Sequence, residues 1–221
     1  MHEAKPRLIS AAPFRDRVVH HALTQVLEPA FERRFTKDSY ACRTGMGVHK
    51  AVERAKRAVI DYPYVLKCDV RRYFASIDHE ILKRLLERVV KCGPTLDLAG
   101  RIIDGWISRE DAGSYFPGDD LFTPFSRRRG LPLGNQTSQF FANVYLNPLD
   151  HFVVQELRPG CYIRYVDDFV LFAESRRVLD EMKAAVERLL GEFRVAVHPQ
   201  KSRVYRCGDG IEFLALPSHQ R

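Results

Sequence analysis

Three carboxylates give the first chemical signal. Asp69 closes the apolar run Tyr64-Val65-Leu66-Lys67-Cys68, and Asp167 and Asp168 interrupt a second one, Tyr162-Ile163-Arg164-Tyr165-Val166 before them and Phe169-Val170-Leu171-Phe172 after. A carboxylate at the core end of a sheet needs a pairing partner or a cation. If the strands lie side by side, Asp69 meets the hairpin tip, and the three acids suit two divalent ions about 3.5–4 Å apart. The hard oxygen set favours Mg2+, with Mn2+ as the alternative, over Zn2+. Such ions lower the pKa of an attacking hydroxyl and carry the charge of a leaving pyrophosphate. An Asp-Asp pair is also a common turn, so the surroundings must decide between the two readings.

The positioning elements follow from periodicity. Residues 64–69 read as a buried strand behind Pro63, and 162–173 as two strands joined at Asp167-Asp168. Helical spacing runs from Asp16 to Phe35, where Pro29 predicts a division into two pieces. It resumes over 48–60 with Val48, Val52, Ala55 and Val59 on one stripe. Asp78 is placed to cap a helix whose apolar face is Ile81, Leu82, Leu85, Leu86 and Val89. Another helix spans Gln136 to about Val154, broken or kinked near Pro148. A further one presents Val178, Met182, Val186, Leu189 and Phe193. Residues 6–13 read as extended, and 93–130 give no clear pattern. Residues 195–216 read as short strands turning at Gly208-Asp209-Gly210. The whole is an α+β chain, an antiparallel sheet with helices on one face.

At 221 residues the chain fits one large domain or two fused small ones. A composition of 45% hydrophobic and 29% charged residues excludes disorder, collagen and coiled coil. No apolar run approaches a membrane span, and Met1-His2-Glu3-Ala4-Lys5-Pro6 lacks a signal-peptide core, so a cytoplasmic protein without membrane partners is expected. The five cysteines form no C-x-x-C pair, which predicts reduced and mostly buried thiols. The net charge of +7 favours a polyanionic partner.

The ordered motifs resemble those of reverse transcriptases. Lys67-Cys68-Asp69 through Asp78-His79 is similar to the family's first palm motif. Gly130-Leu131-Pro132-Leu133-Gly134-Asn135-Gln136-Thr137-Ser138-Gln139 resembles its template and nucleotide motif, and Tyr165-Val166-Asp167-Asp168 its carboxylate pair. Pro199-Gln200-Lys201-Ser202 resembles the lysine motif, and Glu212-Phe213-Leu214-Ala215 the primer-grip turn. Upstream, Arg7-Leu8-Ile9 and Ser39-Tyr40-Ala41-Cys42-Arg43-Thr44-Gly45 with His49 are similar to the fingers motifs of group II intron and related bacterial enzymes. Leu133 stands where most of the family has Gln, which places the resemblance nearest the diversity-generating retroelement branch. Group II intron-like or defence-associated enzymes are the alternatives.

The resemblance implies a right-hand polymerase with fingers over 1–63 and a first palm part over 64–92. A connection with the template motif follows over 93–135, then palm with the primer grip over 136–216 and a tail over 217–221. With the sequence ending at Arg221, a thumb is expected to be absent, and with it processivity. Asp69, Asp167 and Asp168 would hold two Mg2+ ions, with the Val70 backbone oxygen as a further ligand. Lys201 would protonate the leaving pyrophosphate. Arg7 would grip the triphosphate. Phe74 would exclude the ribose 2′-hydroxyl, unless it packs in the core like its neighbour Tyr73. Leu133, Gly134 and Gln136 would lie at the templating pair, with Leu133 loosening discrimination. Arg71-Arg72 and Arg127-Arg128-Arg129 would line a phosphate channel. Expected partners are an RNA template, a DNA or RNA primer, dNTPs and a small helical accessory protein. An RNA-dependent RNA polymerase, and an idle RNA-binding fragment, are the rival readings.

Overall fold

The computed structural model describes residues 9–108, 114–210 and 213. In chain order it has helices α1 (Phe14–Glu32) and α2 (Val48–Asp61), strand β1 (Tyr64–Asp69), the short helix α3 (Tyr73–Ser76), and helices α4 (His79–Glu87) and α5 (Gly93–Asp104). These are followed by the single turn α6 (Thr123–Ser126), α7 (Gln136–Phe152) with a π-helical turn over Val153–Leu157, strands β2 (Cys161–Tyr165) and β3 (Asp168–Ala173), helix α8 (Arg176–Glu192) and strand β4 (Arg203–Arg206).

The four strands form one antiparallel sheet in the order β2-β3-β1-β4. Strand alternation divides its side chains between two cores. Leu66, Cys68, Phe169, Leu171, Ala173 and Tyr162 face the larger one, with α1, α4, α5, α7 and α8. Val65, Val170, Phe172, Cys161 and Ile163 face the smaller one, against α2. The main helical layer thus lies on one face as expected, and α2 covers part of the other.

Several helical details depart from the sequence reading. α1 continues through Pro29, which falls in its last turn, so only the Gln25 carbonyl loses its helical donor. α7 continues through Pro148 because packing on nearly every side holds it, and the irregularity comes later as the π turn. On α2 the buried stripe is Ala51, Ala55 and Ala58, while Val48 is exposed, since small side chains let the helix approach the sheet. On α8 the buried face is Leu179, Met182, Val186 and Leu190, one position on from Val178 and Leu189. α5, hidden in the illegible stretch, starts with Pro94 in its first turn and buries Ala99 and Ile103. The cap of α4 is as expected: Asp78 Oδ1 accepts the N–H groups of Glu80 and Ile81 at 3.0 and 3.1 Å.

Candidate active site

β1 and β3 end together. Asp69, the last residue of β1, is the register partner of Asp168, the first of β3. One step further, the Val70 N–H donates to the Asp167 carbonyl at 3.2 Å. Ladder alternation then makes Asp69 and Asp168 a close, non-hydrogen-bonded pair, with Cα atoms about 4.5 Å apart. Both side chains point to the face that α2 covers only in part. Like charges directly opposite on a ladder repel, and a cation between them removes the penalty. Val70 is buried, and its amide side faces the turn that carries Asp167.

A second loop closes over the same strand end. The His198 N–H donates to the Asp69 carbonyl at 2.7 Å and the Arg71 N–H to the Ala196 carbonyl at 2.8 Å. Ser202, fully buried, accepts the Asp69 N–H at 3.3 Å. These bonds bring the Lys201 ammonium to 3.1 Å from Asp69 Oδ2, although Lys201 is 132 residues away in the chain.

The turn between the strands is strained and braced. Val166 has φ +57°, the left-handed region that a β-branched residue avoids at a cost of about 1–3 kcal/mol. Its carbonyl accepts a bond from Arg164 Nη1 at 2.9 Å. The Arg164 side chain is fully buried, and its Nε and Nη2 grip the Asp150 carboxylate, each at 2.6 Å. Nη1 also reaches Asn143 Oδ1 at 3.1 Å, and the Asn143 amide donates to the Ala41 carbonyl at 2.7 Å. The backbone of Arg164 pairs with the 38–40 segment, through Asp38 O at 2.8 Å and Tyr40 N at 2.9 Å. Arg164, Asp150 and Asn143 were missed by the sequence reading. The signal was there: a guanidinium inside a buried strand and a carboxylate inside a buried helix each require a partner.

The remaining expected residues fall around this end of the sheet to differing degrees. Tyr73 is a core residue, its hydroxyl donating to Ala142 O at 2.5 Å, whereas Phe74 packs edge-on against it and stays half-exposed. Leu133 is half-exposed and its carbonyl accepts the Ser10 N–H at 2.8 Å. Gly134 is exposed with φ +110°, and a Cβ there would lie 2.7 Å from Ile9. Gln136 is exposed and bonds His21 on α1 at 2.5 Å. Arg7 lies outside the described residues, as does the primer-grip turn apart from Phe213, which is buried in the smaller core.

The expected phosphate channel is corrected at Arg127. That guanidinium is buried between Asp119 and Asp78, with Nε 3.4 Å from Asp78, and lies over the Phe116 ring. Arg128 is turned to the Asp104 carbonyl at 2.8 Å and Arg129 to the Ala75 carbonyl at 3.3 Å. A buried carboxylate pair captures a guanidinium that composition alone would leave to solvent. Arg71 and Arg72 are exposed, the latter in the left-handed region at the start of α3.

Among the described residues, no three His, Cys, Asp or Glu side chains converge closely enough to hold an ion unaided. The three-carboxylate ion site expected from Asp69, Asp167 and Asp168 is therefore not formed among these residues, and what the strand ends bring together is one carboxylate pair. The opposed Asp69 and Asp168 provide such a pair of hard oxygen donors.

A family model described as reverse transcriptase (RNA-dependent DNA polymerase) matches residues 2–217. Protein YkfC of Escherichia coli strain K12 is 24% identical, with 95% of this chain and 62% of that protein aligned. The group II intron-encoded protein LtrA of Lactococcus lactis is 26% identical over 68% of this chain and 23% of its own length. The chain thus spans less than two thirds of either relative. The apo telomerase of Candida tropicalis superimposes with a TM-score of 0.63 at 13% identity, over 91% of this chain and 38% of that one. The likeness shows a shared right-hand polymerase fold.

Proposed function

From the premise that this chain belongs to the reverse transcriptase (RNA-dependent DNA polymerase) family, we propose that it is the fingers and palm core of an RNA-templated DNA polymerase. The carrying observation is the register pairing of Asp69 with Asp168 at the strand ends, beside the turn that bears Asp167.

In this reading Asp69, Asp167 and Asp168, with the Val70 carbonyl, hold two Mg2+ ions. When bound, such ions supply Lewis acidity to the α-phosphate and lower the pKa of the primer 3′-hydroxyl. The protein supplies the rest. Its carboxylates would hold the ions at the strand ends, where the triphosphate and the primer end would meet in line. Lys201, tethered at Asp69, gives its proton to the pyrophosphate oxygen as the bond to the α-phosphorus breaks. Phe74, the available ring of the Tyr73-Phe74 pair, lies under the sugar and clashes with a 2′-hydroxyl. Arg7 takes the triphosphate, and Leu133, Gly134 and Gln136 take the templating pair. The expected partners are an RNA template, a DNA or RNA primer and dNTPs.

Leu133 supports an origin in a diversity-generating retroelement, where a small helical accessory protein would join the complex. The match to a group II intron-encoded protein supports a group II intron-like origin instead. Both give the same test. With a primed RNA template and Mg2+, the chain should incorporate dNTPs in preference to NTPs, and Asp168→Asn should abolish incorporation while leaving RNA binding intact. RNA product would favour an RNA polymerase, and RNA binding without any incorporation would overturn the enzyme reading.

A further inference from the structure

Four observations meet at one guanidinium. Arg164 is fully buried, its fork is fixed on Asp150 at 2.6 Å on both arms, and its third nitrogen bonds the Val166 carbonyl. Val166 is the residue held at φ +57° between Tyr165 and the two turn acids. The same nitrogen touches Asn143, which anchors the Ala41 carbonyl of the segment lying along β2. Tyr162 closes the set by donating to Asp150 Oδ1 at 2.8 Å.

A buried guanidinium needs all its N–H groups satisfied, but any acceptor would serve for that, and hydrophobic residues often replace such pairs without loss. The bond to Val166 changes the argument. A valine leaves the left-handed region unless its surroundings hold it there. If it leaves, the peptide that carries the Asp167 carbonyl rotates, the Val70 bond is lost, and Asp168 slips from opposite Asp69. We propose that Arg164 is a positioning residue: it clamps the Val166 turn so that Asp167 and Asp168 present their carboxylates beside Asp69. The inference rests on the polymerase reading above and names what keeps that site assembled.

Lysine at 164 keeps the charge against Asp150 but cannot hold the carboxylate with two arms and reach Val166 with a third. Glycine at 166 adopts the left-handed region freely and removes the need for the clamp. The experiment therefore compares the full wild-type chain with Arg164→Lys, Val166→Gly and the double variant. It measures single-nucleotide incorporation, melting temperature, and hydrogen exchange of the Val70 amide. The expected result for Arg164→Lys is a fall in kcat of about a hundredfold, from sub-ångström misplacement, with KM for the dNTP nearly unchanged. Its Val70 amide should exchange faster. Adding Val166→Gly should restore about tenfold of the rate and slow that exchange again, without restoring the melting temperature. Loss of rate that Val166→Gly does not relieve, or unchanged Val70 exchange in Arg164→Lys, would overturn the clamp. A wild-type chain with no incorporation would count against the polymerase reading alone, because the exchange measurement still decides whether Arg164 holds the turn.

Discussion

At the scale of single residues, adjacent side chains of similar type have been given different tasks by burial. Tyr73 and Phe74 are neighbours in sequence, yet the tyrosine hydroxyl is bonded inside the core and the phenylalanine ring remains half in solvent. Tyr73→Phe should therefore cost about 1 kcal/mol of stability, the worth of a buried hydrogen bond, and leave sugar choice alone. Phe74→Val should leave the melting temperature nearly unchanged and raise the kcat/KM for ribonucleotides relative to deoxyribonucleotides by about tenfold or more. An equal effect from both would show that neither ring meets the sugar. The cysteines divide in the same way. Burial pushes the Cys68 thiol up to about 12 and Cys207 up to about 11. At exposed Cys92, hydrogen bonds from Thr95 lower the thiol pKa. Because only the thiolate reacts, alkylation of the native protein at neutral pH, read by mass spectrometry, should mark Cys92 first and spare Cys68 and Cys207 until unfolding.

At the scale of elements, the start of α4 holds more than a cap. Asp78 is fully buried, accepts two helix N–H groups through Oδ1, and holds Arg194 at 2.8 Å and Arg127 at 3.4 Å through Oδ2. Asp78→Ala should thus cost about 3 kcal/mol, because Arg194 loses its close carboxylate and Arg127 is left with Asp119 alone, rather than the 1 kcal/mol or so of a lost cap. Asp78→Ser should recover only the cap share, and chemical denaturation of the two variants would separate the terms. The cap and β1 could be read from sequence because each is local: an Asp before a periodic run, and an apolar run between Pro63 and Asp69. The pairing of Asp69 with the hairpin was anticipated from the cost of burying carboxylates. Ala55 of α2 and Met182 and Val186 of α8 are buried as the spacing predicts, whereas adjacent apolar pairs such as Val178-Leu179 and Leu189-Leu190 satisfy the helical period equally well, and only the sheet decides which faces it. Likewise α5 begins Cys92-Gly93-Pro94-Thr95, which reads as a loop until its proline is seen in the first turn. The Asp150–Arg164 clamp is non-local altogether, a contact between a helix and a strand that no spacing rule connects.

At the scale of the whole molecule, the charge balance is easier to interpret once internal pairs are set aside. Arg43 is fixed on Glu32, Arg54 on Asp38, Arg164 on Asp150, Arg127 on Asp119 and Arg194 on Asp78. Such pairs remove cations and anions together, so the surplus of +7 must reside on side chains that remain at the surface. A polyanion that follows the open end of the sheet would meet Arg71, Arg72 and the turn acids in one place, with the acids screened when cations bind them. Each phosphate neutralised releases counterions and contributes about 0.9 to the slope of log affinity against log salt for a duplex. If the surplus is gathered along one face, binding of an RNA–DNA duplex should weaken with a slope of roughly 3 to 6, which corresponds to about three to seven phosphates. Fluorescence anisotropy of a labelled duplex across a salt series measures it. Charge reversal at Arg71 and Arg72 together should lower the slope by about two, one for each lost phosphate contact. A slope near zero, or one untouched by that double change, would mean that the excess charge is scattered and that contacts other than phosphates hold the duplex at the carboxylates.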